Sequence, residues 1–112
     1  MKRLLDYSRF VSCCRRYRTA KAMLNEESFD PVSLIDMDIK RRLEQETKAV
    51  EEIFRRIDKK NPKLSRIMFL KLVDRKPLRT IGLSSEVNMS KRQIIMKYPE
   101  KDWEAFYNDL LS

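Results

Sequence analysis

A chain of 112 residues with a single glycine and four prolines lacks the turns from which β-proteins are built. Lys, Arg, Glu, Leu and Ile dominate instead, residues that lose little side-chain freedom in a helix or recur at helical spacing. The expected fold class is therefore all-α. The length allows one domain, with helices appended to it.

Apolar periodicity divides the chain into two regions, 1–60 and 61–112. In the first, Leu4, Leu5, Phe10, Val11, Cys14, Tyr17 and Met23 or Leu24 recur at spacings near three and four. This predicts an amphipathic helix from about Arg3 to Leu24, its other face holding Arg9, Arg15, Arg16, Arg18 and Lys21. The acidic stretch "NEESFDPVSL" interrupts the pattern, and Pro31 biases Asp30 away from helix. A connector, the most mobile part expected, is placed at about 25–33. A long charged helix follows from about Leu34 to Lys60. Ile39, Leu43, Val50, Ile53 and Ile57 fall on a and d positions of one heptad frame, with Glu46 as the exception. Phe54 widens that stripe, and Glu44–Lys48, Glu51–Arg55 and Glu52–Arg56 have the spacing of intrahelical ion pairs. Such a helix faces either the core or a second copy in a homodimer through 39–57.

The second region is more specific. A short apolar helix is expected around "LSRIMFLKLV", burying Ile67, Met68, Leu70 and Leu72 or Val73, and "DRKP" breaks it. "LRTIGLSSEV" then reads as a helix ending at Val87, Asn88 as a left-handed turn residue, and Ser90 as the N-cap of the next helix. This is a helix-turn-helix pattern, with Leu83, Val87, Met89 and Ile94 as its apolar set and Ser84 as the small residue at the crossing. Ile94 and Tyr98 fall inward on the second helix, while Lys91, Arg92, Gln93, Met96 and Lys97 fall outward. Cations in a helix's first turn oppose its dipole, so Lys91 and Arg92 imply a polyanion in front of them. Arg92 or Lys91 suits guanine edges or phosphates, Gln93 suits adenine and Met96 a thymine methyl. Arg75, Lys76 and Arg79 suit the phosphate backbone. The plainer reading is a helical corner with a solvated basic face.

Charge distribution separates the two readings. The net charge is +8, carried in two blocks: seven cations against one acid over residues 1–24, and nine against two over 61–98. Residues 36–60 are nearly balanced, and 25–35 and 99–112 are acidic. A basic block lying on the helix-turn-helix pattern fits nucleic acid. The last helix is expected from Pro99, with Glu100 and Asp102 in its first turn and Trp103, Phe106, Tyr107, Leu110 and Leu111 on its apolar face. Helical spacing and acidic neighbours mark Trp103 as core or partner surface rather than a base-stacking platform.

Other classes find little support. Cys13 and Cys14 are adjacent, match no zinc spacing and, with no His in the chain, point to reduced, partly buried thiols. No metal or cofactor is expected. Neither a signal h-region nor a membrane span of about 20 apolar residues is present. Without His or a glycine-rich phosphate loop, the chain is not expected to be an enzyme.

The run "RIMFLKLVDRKPLRTIGLSSEVNMSKRQII" resembles the ArpU family of phage-encoded transcriptional regulators and, more loosely, sigma-factor region 4. Leu70–Asp74, Pro77–Leu78, Leu83–Val87 and Met89–Ser90 carry the likeness, and the N-terminal "CCRRYRTAK" is also similar to ArpU proteins. The resemblance implies regulation of late phage or prophage genes through promoter DNA, alongside RNA polymerase, in the cytoplasm of a bacterial host cell. The leading expectation is thus a sequence-specific, double-stranded-DNA-binding transcriptional regulator reading DNA with a helix that starts at Ser90. Its rival is a helical adaptor that binds RNA polymerase or an acidic partner without reading DNA.

Overall fold

Six α-helices and one 3-10 turn account for nearly all of the fold in a computed structural model that describes residues 5–26 and 29–112. The all-α class is what a glycine-poor, helix-forming composition requires. The expected starting residue Arg3, the stripe residue Leu4 and part of the connector (Glu27 and Ser28) lie outside the described residues.

The starts of the first three helices have local chemical causes. Helix α1 (Tyr7–Asn25) starts after Asp6, whose carboxylate accepts the Arg9 N–H at 2.8 Å. Helix α2 (Leu34–Lys60) starts after Ser33, whose hydroxyl accepts the Asp36 N–H at 3.2 Å. Asn61 alone separates α2 from α3 (Pro62–Leu72). Its extended backbone ends one helix while its side-chain oxygen accepts the Leu64 N–H at 3.1 Å to open the next. Pro62, which has no N–H to leave unsatisfied, takes the first helical position. Side-chain caps of this kind each stabilise by about 1 kcal/mol.

Helices α1 and α2 cross where Arg16 meets Glu46 at 3.3 Å and Tyr17 and Lys21 meet Glu51 at 2.6 and 3.3 Å. The Tyr17 hydroxyl holds the Glu51 carboxyl below its ordinary range, with Lys21 acting in the same direction. Glu51 therefore serves α1 rather than the expected partner Arg55, while Glu52 takes both Arg55 and Arg56. Beside the crossing lies an aromatic cluster. The Phe10 ring is 4.9 Å from Tyr107 and 5.3 Å from Phe54, and Phe54 is 5.3 Å from Phe69.

One hydrophobic core runs through residues of both expected regions, from Phe10 and Cys14 through Val50, Ile53 and Ile57 to Ile94, Trp103 and Tyr107. Helix α6 (Trp103–Leu111) closes it, with the Tyr107 hydroxyl donating to the Leu5 carbonyl at 2.5 Å. Trp103 is buried and its indole N–H donates to the Tyr98 carbonyl at 3.0 Å. Cys13 and Cys14 are both buried and free, and desolvation pushes the Cys14 thiol up to about 12. Among the described residues, no helix is long and apolar enough to cross a membrane.

The stripe on α2 is only partly used. Thr47, Val50, Ile53, Phe54 and Ile57 are buried, whereas no residue between 34 and 46 is. Ile39, expected to face the core or a second copy, is 40 % exposed.

Candidate nucleic-acid interface

The segment from Val73 to Lys97 carries every residue that the sequence nominates for nucleic-acid contact. It begins where α3 stops. Arg75 adopts a left-handed backbone with φ 54°, which turns the chain so that the Lys76 N–H reaches back to the Leu70 carbonyl at 3.0 Å. The same turn carries Arg75 away from the next helix: its guanidinium donates to the Arg15 carbonyl of α1 at 3.3 Å. Asp74 beside it receives Arg18, also from α1, at 3.0 Å, and Arg18 lies 5.5 Å over the Phe69 ring. The basic α1 face therefore adjoins the 74–76 turn, an adjacency that spacing within either segment does not reveal.

Helix α4 (Leu78–Gly82) opens after Pro77 and is shorter than expected. The sequence placed its end at Val87; the structure ends it at Gly82 and carries residues 83–87 through successive turns. Val87 and Asn88 both donate to the Ser84 carbonyl, at 3.0 and 2.7 Å, and the Met89 N–H returns to the Gly82 carbonyl at 3.1 Å. Ser84 was the expected small residue at the crossing. That role belongs to Gly82, because a Cβ there would stand 2.0 Å from the Met89 carbonyl oxygen. No side chain fits so close a backbone approach. Leu83, expected in the apolar set, is 82 % exposed, and Ile81 is buried in its place beside Val87 and Ile94. Ending the helix at Gly82 changes the direction of every later side chain, and that rotation puts Leu83 outside.

Asn88 takes the left-handed turn at φ 46° as its residue type suggests. Helix α5 (Lys91–Lys97) then opens with a reciprocal cap. The Ser90 hydroxyl accepts the Gln93 N–H at 3.1 Å, and the Gln93 side-chain oxygen accepts the Ser90 N–H at 2.8 Å. Gln93 is thus committed through its oxygen to the helix start, and only its amide N–H groups remain to meet a ligand.

Ile94 is buried and fixes the rotation of α5. At 100° per residue, Arg92 and Met96 lie about 160° from it on either side and form the centre of the outward face. Gln93 and Ile95 flank that centre, while Lys91 and Lys97 project about 60° from Ile94 and reach solvent beside the packed side. Ser90, Lys91, Arg92, Gln93, Met96 and Lys97 are all exposed, as are Arg75, Lys76 and Arg79. The one acid in the α4–α5 connection, Glu86, is held by Arg66 of α3 at 2.9 Å. Among the described residues no acidic side chain pairs with Lys76, Arg79, Lys91, Arg92 or Lys97. The expected residues thus fall into two groups, a contiguous set on α5 and a set at 75–79, of which Arg75 is turned onto α1.

Gly82 carries a signal that helical spacing does not: the only glycine of the chain sits inside a helical pattern, where it costs about 1 kcal/mol and calls for a packing reason. Spacing marks the α1 arginines as basic but not as neighbours of Arg75. No protein-family model, curated protein or solved structure matches this chain.

Proposed function

We propose that this protein is a sequence-specific DNA-binding transcriptional regulator in which α4, the 83–90 turn and α5 act as a helix-turn-helix unit. The observation that carries the reading is the exposed surface of α5, where Arg92 and Met96 lead, Lys91 and Lys97 add exposed cations beside it, and no acid among the described residues pairs with them. A helix of seven residues is about 10 Å long, which suits a major groove about 12 Å wide. Arg92 reads a guanine edge, Met96 meets a thymine methyl, and Lys91, Lys97, Lys76 and Arg79 hold phosphates. Gln93 contributes a donor rather than a bidentate pair, because its oxygen caps the helix. The likeness to ArpU proteins supports promoter DNA, phage or prophage genes and RNA polymerase as the setting.

The test is a titration against a random duplex DNA pool at about 50 and 200 mM salt. Four phosphate contacts predict affinity falling by about 150-fold across that interval, from a salt slope of roughly −0.9 per contact. Lys91→Ala/Arg92→Ala removes one phosphate contact and one base contact and is expected to flatten the slope by about 1 and weaken binding at least tenfold. Binding indifferent to salt and to that variant would discard the reading.

A second reading has its own observation. Leu83, Ile95 and Met96 are exposed apolar side chains in the same unit, with Met96 at 74 %. An adaptor that docks on RNA polymerase would use them, and its complex would survive Lys91→Ala/Arg92→Ala but fail with Leu83→Asp or Met96→Asp.

A further inference from the structure

Apart from Leu83, Ile95 and Met96 in the α4–α5 unit, the large exposed apolar side chains among the described residues, Met23, Val32, Leu34, Ile35 and Ile39, all belong to the end of α1, the connector and the first turns of α2. Ile35 is 72 % exposed, and Leu43 completes the same face while only half-buried. With 100° per residue, Ile35 and Leu43 lie about 40° to either side of Ile39, so the three make one narrow stripe along about 12 Å of helix. The stripe ends at Glu46, which Arg16 holds from α1. Beyond it the same helix turns its apolar face to the core.

The charges beside the stripe say what covers it. Asp36 and Lys40 lie on one flank, Asp38 and Arg42 on the other, with the acids toward the helix start and the cations one turn further on. Two such helices laid antiparallel, with a two-fold axis at Ile39, set Ile35 against Leu43 and Ile39 against Ile39. On one flank Asp36 then faces Lys40 of the second copy, and on the other Asp38 faces Arg42 of the second copy. The symmetry repeats both pairs. A parallel arrangement would bring opposite flanks together and set Asp36 against Asp38 and Lys40 against Arg42 of the second copy, which opposes association. The present intrahelical partner of Asp38, Arg41, is 3.9 Å away and exposed, so little is lost in exchanging it.

We infer that the first half of α2 is a docking surface for a second copy of this chain, paired antiparallel about Ile39. This goes beyond the DNA reading and does not rest on it. The buried half of α2, from Thr47, takes no part. A two-fold dimer presents two α5 helices related by the same axis, the arrangement that palindromic half-sites require.

Sedimentation equilibrium of the full chain without DNA tests the inference, with thermal melts beside it to show that each variant folds. The wild type is expected to dimerise in the micromolar range. Ile39→Asp is expected to weaken dimerisation at least tenfold, and Asp38→Arg several-fold. Adding Arg42→Asp to the latter is expected to recover most of that loss by reversing the pair. With an oxidant such as copper–phenanthroline, Ile39→Cys is expected to form an intermolecular disulfide. Ile35→Cys is not, because antiparallel pairing keeps the two copies of position 35 about 12 Å apart along the helices. A wild type that stays monomeric at 100 micromolar overturns the inference, as does a dimer unaffected by Ile39→Asp or one cross-linked through position 35. None of these results bears on Lys91 and Arg92, so the dimer and the DNA reading fail separately.

Discussion

The two halves of α2 share one helix, one heptad frame and similar charge, yet they live in different environments. From Thr47 to Ile57 the stripe meets α1, α3 and α6 and is buried; from Leu34 to Glu46 no described residue is buried, and Ile35 and Ile39 stand exposed. The difference lies in neither propensity nor periodicity. It lies in where α1 crosses, because the contacts of Arg16 with Glu46 and of Tyr17 with Glu51 mark the boundary on α2. Amphipathic spacing says that a helix has a face to cover. It does not say whether the cover comes from the same chain.

The sharpest way to break this comparison is to truncate the same residue type on both sides of the crossing. Ile53→Ala removes buried methyl groups from a fully enclosed site and is expected to cost about 2–5 kcal/mol of unfolding free energy. Ile39→Ala is expected to change the stability of the monomer by no more than about 0.5 kcal/mol. Urea denaturation at concentrations too dilute for dimerisation measures both. Equal losses would show that the first half of α2 is covered within the chain after all. Gly82→Ala asks the same question of a different neighbour, for what lies opposite Gly82 is the Met89 backbone rather than a yielding side chain. The backbone must shift to admit the methyl, and a loss of about 1–3 kcal/mol is expected in the same assay.

Alkaline pH sharpens the comparison from the covered side. Burial raises the Cys14 thiol from its ordinary value of 9.0 to about 12, and Tyr7 and Tyr17 rise from 10.0 to about 12, chiefly by burial. The unfolded chain therefore loses these protons first as pH rises. Their contribution is complete below about pH 9 and is lost progressively between about 9 and 12. Melts under reducing conditions are expected to fall between pH 7.5 and 10.5, with Cys14 responsible for up to about 2 kcal/mol of the loss. Cys14→Ala is expected to remove that part of the pH dependence. A variant as pH-sensitive as the wild type would assign the loss to Cys13 and the tyrosines, whose protons burial also holds.

Local signals in the sequence proved legible where the cause was local. The bounds of α2, the left-handed Asn88, the Ser90 cap and the buried Trp103 each follow from one residue type and its near neighbours. The cap geometry is legible in "SKRQ" alone, since Ser90 and Gln93 stand at the spacing of a capping box. What could not be read depends on residues far apart in the chain. Gly82 meets Met89 across a turn, Arg75 meets Arg15 across sixty positions, and the end of α4 follows from that close packing. Leu83 illustrates the cost of one misplaced boundary: extending the helix past Gly82 puts it inside, and ending the helix there puts it out. The outward set on α5 was legible because a single buried residue, Ile94, fixes a short helix's rotation.

The smallest effect concerns the seam between the two halves of α2. Tyr17 donates to Glu51 at 2.6 Å, and Lys21 stands 3.3 Å from the same carboxylate, so this group ties α1 to the point where burial begins. Tyr17→Phe deletes the hydroxyl and leaves the ring to pack. A hydrogen bond to a carboxylate contributes roughly 1.5–3 kcal/mol when shielded; partial exposure here reduces the expected loss to about 1 kcal/mol. The pH dependence of that loss identifies its source. Because Tyr17 holds Glu51 below its ordinary value of 4.5, the contribution is present above that pH and fades as the carboxyl takes up its proton in more acidic solution. At the other end it fades as pH rises from 10 towards 12, where the phenol loses its proton. Tyr17→Phe is therefore expected to cost most on a plateau between about pH 5 and 9 and progressively less as pH falls below it. A loss that stays constant down to pH 3 would assign it to the packing of the ring, and the boundary on α2 would then be set by shape rather than by this hydrogen bond.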